Sequence, residues 1–176
     1  MNETYRILII SEAQGYMIMS LKEKIQEAGY AVSVVEPDVT QISAVRDRIG
    51  AYLIYGSDEM GDMQQALIYL KDQSAERDIP IFTVGSHEEN EAIGRVISKH
   101  LIRQFFERPV NINELVESMD TYITKFGVQN KKKILVVDDS GAMLRNVKGW
   151  LEDTYQVILA NSGAMAIKYL ATNRPD

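Results

Sequence analysis

The sequence predicts an α/β protein with a doubly wound, five-stranded parallel sheet, followed by the βαβα half of a second domain of the same kind. Three observations support this fold class. Short apolar runs recur, segments with apolar residues at helical spacing separate them, and the beginning of the chain resembles a stretch near its end. Such regular alternation is typical of a parallel sheet with helices on both faces. The predicted strands are 5–11, 30–35, 51–55, 79–84 and 101–106.

The helices between these strands are predicted from apolar residues spaced three and four apart. The first ends at Gly29, since glycine commonly follows the last turn of a helix. A short second helix over about 40–49 is predicted to end at Gly50. The others are predicted at about 63–70, 88–99 and 111–125, and in the last part of the chain at about 141–151 and 162–172.

An internal repeat defines the domain organisation. Residues 7–12 and 134–139 match place for place, with four apolar residues followed by two polar ones. Each match leads into an amphipathic helix and then a strand that begins at a tyrosine. A repeat of this length indicates a duplicated domain rather than a solenoid. The predicted organisation is a domain at 1–127, a linker at 128–132 and the N-terminal half of a second domain at 133–176.

Composition places the chain among ordinary globular proteins. Hydrophobic residues make up 45% and charged residues 25% of its 176 residues. No apolar run approaches the roughly 20 residues that a membrane-spanning helix needs, and residues 1–6 do not resemble a signal peptide. The absence of cysteine excludes disulfides, thiolate metal sites and a cysteine nucleophile. We therefore expect a cytoplasmic protein with no membrane contact.

The charge distribution argues against nucleic-acid binding. Residues 1–127 hold 20 acidic and 12 basic side chains, a net charge of −8, whereas residues 128–176 hold 5 and 7, a net charge of +2. An acidic surface repels the phosphate backbone. The three lysines at 131–133 are too few for a binding surface, so no direct contact with nucleic acid is expected.

An acidic pair follows the strand predicted at 134–137. Asp138 and Asp139 come directly after the apolar run, and Ser140 can cap the next helix. Ligand sites of open α/β sheets lie at the carboxyl ends of the strands, and two adjacent carboxylates favour a cation. The alternative is that the aspartates only end the strand and begin the helix.

These features resemble the receiver domains of two-component response regulators, which are CheY-like. The resemblance covers one full copy at about 5–126 and the first half of another at 133–176. It implies a sheet in the order 2-1-3-4-5. It also implies two acidic residues after the first strand that hold Mg²⁺, a phosphoaccepting aspartate after the third, a hydroxyl after the fourth and a Lys-Pro step after the fifth. In such a site, Mg²⁺ and the lysine would neutralise the phosphoryl oxygens while the carboxylate of the phosphoaccepting aspartate attacks phosphorus.

The first copy departs from that pattern, since Ser11 and Glu12 leave only one carboxylate of the acidic pair. The resemblance therefore predicts a degenerate receiver pocket in this copy. The pocket lacks a phosphoacceptor, because Gly56 falls at the position of the phosphoaccepting aspartate. Gly85 or Ser86 falls near the hydroxyl position, and Ser86 could supply the hydroxyl if the register shifts by one residue. Arg108 replaces the lysine and keeps its charge in a different shape. The residues of the predicted pocket are Ser11, Glu12, Gly56, Ser86, Arg108 and Pro109.

The second copy keeps the acidic pair. The resemblance implies that Asp138 and Asp139 hold Mg²⁺ in the intact second receiver, while no cofactor is expected in residues 1–127. The phosphoacceptor would lie beyond Asp176, so no catalytic residue is named. The strand at 134–137 lacks its third-strand neighbour, which predicts either a homodimer through this half-domain or docking on the first domain.

Other candidate residues are less convincing. Asp58 lies two residues beyond Gly56 and is interpreted as a helix cap rather than a substitute acceptor. His87 and His100 have no second histidine or cysteine at ligand spacing, so both are interpreted as solvated residues.

The preferred hypothesis is a non-enzymatic signalling protein of a two-component phosphorelay. Its first domain would act in protein interaction or regulation, and its second would accept phosphoryl groups from a sensor histidine kinase or phosphotransfer protein. The alternative is a flavodoxin-like module that binds a flavin or another anion between glycine-containing loops, although acidic residues in 58–62 would repel a phosphate. A magnesium-dependent enzyme in residues 1–127 is a third hypothesis, which lacks a nucleophile.

Overall fold

The computed structural model describes residues 5–45, 48–57, 63–129, 132–152 and 154–175. Contacts divide the chain into two units, with the division between residues 124 and 125. Five strands alternate with five helices before residue 130. They are β1 (Arg6–Ile10), α1 (Tyr16–Glu27), β2 (Ala31–Val35), α2 (Val39–Ala44), β3 (Ile49–Tyr55), α3 (Gln64–Arg77), β4 (Ile81–Gly85), α4 (His87–Val96), β5 (Ile102–Glu107) and α5 (Ile112–Gln129).

The five strands form one parallel sheet in the order β2-β1-β3-β4-β5. This confirms the predicted fold class and the predicted order 2-1-3-4-5. The first strand, β1, lies inside the sheet; β2 forms the edge on one side of it, and β3, β4 and β5 follow on the other side. The carboxyl ends of β1 and β3 are therefore neighbours, as a ligand site at a switch in strand order requires.

Alternate residues of the buried strands supply two separate cores. Ile7 and Ile9 of β1 face α1 and α5, whereas Leu8 and Ile10 face the side covered by α2, α3 and α4. All four side chains are at most 1% exposed. Burial on both faces explains the uninterrupted apolar run, since each such side chain contributes roughly 1.5–3 kcal/mol when removed from water.

The second helix is shorter than predicted. Ile49 and Gly50 belong to β3, and α2 ends at Ala44, although the sequence predicted a helix to residue 49 with Gly50 as its stop. Gly50 is needed for close packing instead. A Cβ at this position would lie 2.9 Å from Cβ of Tyr5, closer than side chains pack.

The fifth helix is longer than predicted and continues into the segment predicted as a linker. It was expected to end near residue 125, but α5 reaches Gln129 and spans 18 residues. The helix continues through the glycine at position 127. A single glycine within a helix costs about 1 kcal/mol relative to alanine, which is too little to end the helix by itself. Within the described residues, no helix combines the length and apolar character that crossing a bilayer requires.

The second unit contains a two-stranded parallel sheet. Its elements are β6 (Lys133–Val137), α6 (Gly141–Leu151), β7 (Gln156–Ala160) and α7 (Gly163–Leu170). Ser140 and Ser162 cap the two helices by accepting from the backbone N–H groups of Met143 and Met165. Among the described strands, β6 pairs with β7 alone, whereas its counterpart β1 pairs on both sides.

The second unit exposes much of its apolar surface. Trp150 is 73% exposed and Ile167 is 71% exposed, and β6 is at most half-buried along its length. A domain with this little buried core leaves apolar area for another surface to cover. The exposed large apolar side chains of this unit are Val137, Met143, Trp150, Met165, Ile167 and Leu170.

Candidate functional site at the carboxyl ends of the strands

Backbone hydrogen bonds bring most of the predicted pocket residues together. The N–H of Gly56 donates to Val84 at 2.7 Å, and the N–H of Arg108 donates to Gly85 at 3.0 Å. The ladder therefore continues one residue past the ends of β3 and β5. Ser11 lies next to β2 in the same way, since its N–H donates to Val35 at 2.9 Å. The residues after β1, β3, β4 and β5 thus meet at one edge of the sheet.

Ser11 and Glu12 occupy the place of the acidic pair and face in different directions. Ser11 is buried, and its Oγ donates to the carbonyl of Ala13 at 2.8 Å. Glu12 is exposed and accepts a hydrogen bond from Oγ of Ser57 at 2.6 Å. Glu12 therefore contributes a solvent-exposed carboxylate, whereas the hydroxyl of Ser11 is already hydrogen-bonded within the protein.

Glu89, which was not among the residues predicted for the pocket, supplies the buried carboxylate of this site. Its side chain is only 6% exposed and forms an ion pair with Arg108 through Oε1. Its second oxygen, Oε2, accepts from the N–H of Ser86 at 3.0 Å. Both oxygens thus have partners, as a buried carboxylate requires.

A capping box at the start of α4 holds Glu89 in this position. Ser86 is the N-cap residue, and its Oγ accepts from the N–H of Glu89 at 3.2 Å. Glu89 reaches back to the N–H of Ser86 in return. Ser86 therefore lies at the predicted edge but acts as a helix cap rather than as a free hydroxyl. The Ser-x-x-Glu spacing at 86–89 is the sequence signal that could have identified Glu89.

Two glycines leave the space that Glu89 fills. A Cβ at Gly56 would lie 2.5 Å from Oε2 of Glu89, and a Cβ at Gly85 would lie 2.7 Å from the same oxygen. Neither distance allows a side chain without movement of the glutamate. Position 56, where the resemblance to receiver domains implies an aspartate, therefore carries no side chain, and the carboxylate of Glu89 from α4 occupies the space in front of it.

Arg108 completes the cluster from the end of β5. Its guanidinium lies 5.5 Å from the centre of the Tyr55 ring and pairs with Glu89. Burial acts to lower the pKa of Arg108, but the charge of Glu89 and the Tyr55 contact outweigh it and raise the pKa above its ordinary value. The Arg108–Pro109 peptide bond is cis. The positive charge of this site is therefore already neutralised within the protein.

A second buried polar group ties α4 to the sheet. Oγ1 of Thr83 donates to Oδ1 of Asn90 at 2.8 Å, and Nδ2 of Asn90 donates to the carbonyl of Phe106 at 3.1 Å. Thr83 is fully buried and Asn90 is 5% exposed. These bonds link α4 with β4 and β5, so the first turn of α4 that carries Glu89 is anchored from two strands.

The two histidines are not brought together. His87 is exposed, with Nδ1 at 3.0 Å from Oε1 of Glu107 and Nε2 at 3.8 Å from Glu91. Hydrogen bonding to Glu107, its charge and that of Glu91 raise the pKa of His87. His100 is also exposed, and its carbonyl accepts from Arg103. Within the described part of the chain, no three His, Asp, Glu or Cys side chains are placed to hold a metal ion.

In the second unit, Asp138 and Asp139 follow β6 as predicted. The N–H of Asp138 donates to Ala160 at 3.1 Å, and its Oδ1 accepts from the N–H of Ser140 at 2.7 Å. Asp139 is exposed. One aspartate therefore also supports the turn into α6, as the alternative interpretation held. The predicted role of Asp58 lies outside the described residues.

The fold was compared with known proteins. No protein-family model and no curated protein matches the chain. A solved structure from a family of streptococcal redox sensors, described as evolved from two-component response regulators, matches with 19% identity and a TM-score of 0.56. The match covers 70% of this chain and 52% of that one, so this chain spans about half of its length.

Two further solved structures match over nearly their whole length. A response regulator receiver domain from Clostridium thermocellum has 14% identity and a TM-score of 0.55, with 71% of this chain and 98% of that chain covered. The chemotaxis protein CheY4 of Vibrio cholerae has 14% identity and a TM-score of 0.53, with 67% and 98% covered. The chain therefore contains the CheY-like fold of response regulator receiver domains. At these identities, the similarity is one of fold.

Proposed function

We propose that the first unit is a receiver-type signalling domain that does not accept phosphoryl groups and that acts, without enzymatic activity, through protein interaction. The observation that carries this proposal is the contact between Gly56 and Glu89. The acceptor position has no nucleophile, and the space before it holds a buried carboxylate.

Electrostatics support the same conclusion. An incoming phosphoryl group would meet the negative charge of Glu89 at close range, and the available cation, Arg108, is already paired with it. Like charges in a partly buried site repel strongly. The same argument disfavours the flavodoxin-like alternative, because a flavin phosphate at this edge would face both Glu89 and the exposed Glu12.

We propose that the second unit supplies the phosphoryl-accepting function in the intact protein, with a sensor histidine kinase or phosphotransfer protein as donor. Asp138 and Asp139 would hold Mg²⁺ there, and carboxylate oxygens are ligands that this ion prefers. The described residues offer these two carboxylates and no third metal-binding side chain beside them. They fit part of a magnesium site, so the proposal needs a further carboxylate from outside these residues.

We also propose that the chain forms a homodimer through the second unit. Among the described strands, β6 pairs with β7 alone, and several large apolar side chains of this unit are exposed. An uncovered strand edge with apolar surface favours pairing with an identical edge in another copy.

The test of the first proposal is a titration of the whole chain with beryllofluoride and Mg²⁺, followed by amide NMR. We expect no saturable shifts at Gly56, Gly85 or Arg108. Saturable shifts at these residues would refute the proposal, and flavin absorbance of the purified protein would support the alternative.

A pair of variants tests the role of Glu89 directly. Both carry Ser11→Asp and Gly56→Asp, which restore two carboxylates, and one also carries Glu89→Ala. We expect beryllofluoride to bind only to the variant that lacks Glu89. Equal binding by the two variants would show that Glu89 does not block the site.

A further inference from the structure

Two neighbouring polar side chains in the first turn of α4 are buried. Glu89 and Asn90 are each 5% exposed, whereas Glu88 and Glu91, on either side of them in the sequence, are exposed. Burial of a charged group or an amide is costly unless its polar atoms find hydrogen-bond partners. The position of this turn therefore depends on what these two side chains bond in the rest of the unit.

Glu89 connects α4 to the end of β5. One of its carboxylate oxygens pairs with the guanidinium of Arg108, and the other accepts from the N–H of Ser86 at 3.0 Å. Movement of α4 away from the sheet would separate the carboxylate from Arg108. Separating the partners of a buried ion pair is strongly unfavourable, so this contact resists such movement.

Asn90 connects α4 to two strands at once. Its Oδ1 accepts from Oγ1 of Thr83 at 2.8 Å, and its Nδ2 donates to the carbonyls of Phe106 at 3.1 Å and Gly85 at 3.4 Å. The amide thus uses both its donor group and its acceptor within the protein. Sliding of the first turn along the sheet would break bonds to β4 and β5 together.

The same side chains also prevent α4 from moving closer to the sheet. A Cβ at Gly85 would lie 2.7 Å from Oε2 of Glu89 and 3.3 Å from Oδ1 of Asn90, so both side chains pack directly against the backbone of this glycine. One turn further along, Ile93 is fully buried in the core on this face of the sheet. Polar contacts and apolar packing therefore restrain one helix from both directions, and a buried polar network that is only partly satisfied is unfavourable.

We propose that Glu89 and Asn90 form a lock that holds α4 in a single position, so that the exposed side of this helix is presented permanently. The lock consists of these two side chains and their partners Thr83, Phe106 and Arg108. The inference rests on the proposed function of the first unit, a signalling domain that acts through protein interaction, and it adds how that interaction is regulated. A partner that binds the exposed side of α4 meets the same surface at all times, without a switch that depends on a ligand at the strand ends.

Hydrogen exchange of the whole chain tests the lock, measured by NMR under native conditions and without ligand. The amides of Asn90 and Ile93 report on α4, and those of Leu67 and Leu70, at the equivalent positions of α3, are the reference. The first amide of each pair donates to the carbonyl of the N-cap residue, at 3.0 Å in α4 and 2.9 Å in α3. We expect the protection of α4 to lie within about tenfold of that of α3, because a locked helix opens only when the unit unfolds. Protection of α4 that is weaker by more than about tenfold would show that this helix moves by itself and would overturn the proposal.

Variants identify the residues of the lock. Arg108→Gln removes the ion pair, and Asn90→Ala removes the bonds to both strands. Each should weaken the protection of Ile93 relative to Leu70 by at least about tenfold, because the loss of one partner leaves a buried polar group unsatisfied. Glu88→Gln is the matched control and should leave the ratio unchanged, since Glu88 is exposed in the same turn.

The variants also keep the lock separate from the proposed function. Arg108→Gln changes a side chain outside α4 and leaves the capping box intact, so it serves even if Asn90→Ala fails to fold. An unchanged protection ratio in Arg108→Gln, or the same change in Glu88→Gln, would refute the lock. Exchange is measured without beryllofluoride, so its result is independent of the titration that tests the proposed function.

Discussion

Oε2 of Glu89 lies 2.5 Å from the point where a Cβ of Gly56 would be placed. Gly56→Ala should therefore destabilise the first unit by about 1–3 kcal/mol, because the added carbon must displace a buried carboxylate. Urea denaturation measures this difference in the free energy of unfolding. Gly94→Ala is the matched control, since a Cβ there would lie 3.7 Å from its nearest neighbour in Phe105. Gly94→Ala should be neutral or stabilising by up to about 1 kcal/mol, and equal effects of the two substitutions would contradict the packing described.

The ion pair between Glu89 and Arg108 can be measured by a double-mutant cycle with Glu89→Gln and Arg108→Gln. Removing one partner of a buried pair costs about 3–5 kcal/mol. Solvent screens part of this pair because the Arg108 side chain is 36% exposed, so we expect a coupling energy of about 1–3 kcal/mol. The exposed pair of Glu91 and Arg95 is the control and should couple by less than about 0.5 kcal/mol. A coupling energy no larger than that of the control would be evidence against a buried pair.

His87 should link the stability of the first unit to pH. Because Glu107 and Glu91 raise its pKa in the folded protein, its contribution is fully present below the ordinary histidine pKa and is lost as the pH rises through the folded-state value. The difference in the free energy of unfolding between wild type and His87→Asn should therefore become smaller as the pH rises through the folded-state pKa of His87. Proton NMR of the ring gives the pKa directly, and Glu107→Gln should lower it. A His87 pKa that is insensitive to Glu107→Gln would exclude this pairing in solution.

Tyr30 connects β2 to α5 through a hydrogen bond from its hydroxyl to Oδ1 of Asp120, at 2.6 Å. Burial and then this bond raise the pKa of Tyr30 above its ordinary value. Tyr30→Phe leaves the carboxylate without its donor and should cost about 1–3 kcal/mol in chemical denaturation. Tyr16→Phe serves as the control because Tyr16 is 84% exposed. If both substitutions had the same small effect, the hydrogen bond would contribute nothing.

The proposed homodimer can be tested by light scattering at micromolar concentration. We expect the mass of a dimer for the wild type and of a monomer for Ile167→Lys, because a charge on the exposed apolar face of α7 would be buried unpaired in the interface. Ile68→Lys, at an exposed isoleucine of α3 in the first unit, should remain dimeric. A monomeric wild type would rule out this assembly.

The architecture could be predicted because a strand that is buried on both faces has apolar residues at every position. The run at 7–10 is apolar throughout since each side of β1 faces a core, and the strand order followed from the resemblance that this run and its repeat support. Element ends were less predictable. Gly50 was predicted to end a helix, but the close approach of Tyr5 to the backbone, which needs the tertiary structure, explains the glycine instead.

The sequence predicted where the candidate site lies but not the carboxylate that fills it. Gly56 and Arg108 lie at the ends of β3 and β5, as the resemblance implied. Glu89 lies 33 positions after Gly56 along the chain, in a stretch of acidic residues that is typical of a helix start. The spacing from Ser86 marks Glu89, and not Glu88, as the capping-box residue, but its burial against Gly56 depends on how α4 packs against β4 and could not be predicted from the sequence.

The capping box of α4 restricts which side chains position 56 can carry. Glu89 lies in the first turn of the helix and also fills the space in front of Gly56, so an aspartate at position 56 would meet a carboxylate that the helix start holds in place. Room for a side chain at position 56 therefore requires the replacement of Glu89 as well, and that replacement removes one of the two hydrogen bonds of the capping box. The two positions can change only together, and each such change weakens the start of α4.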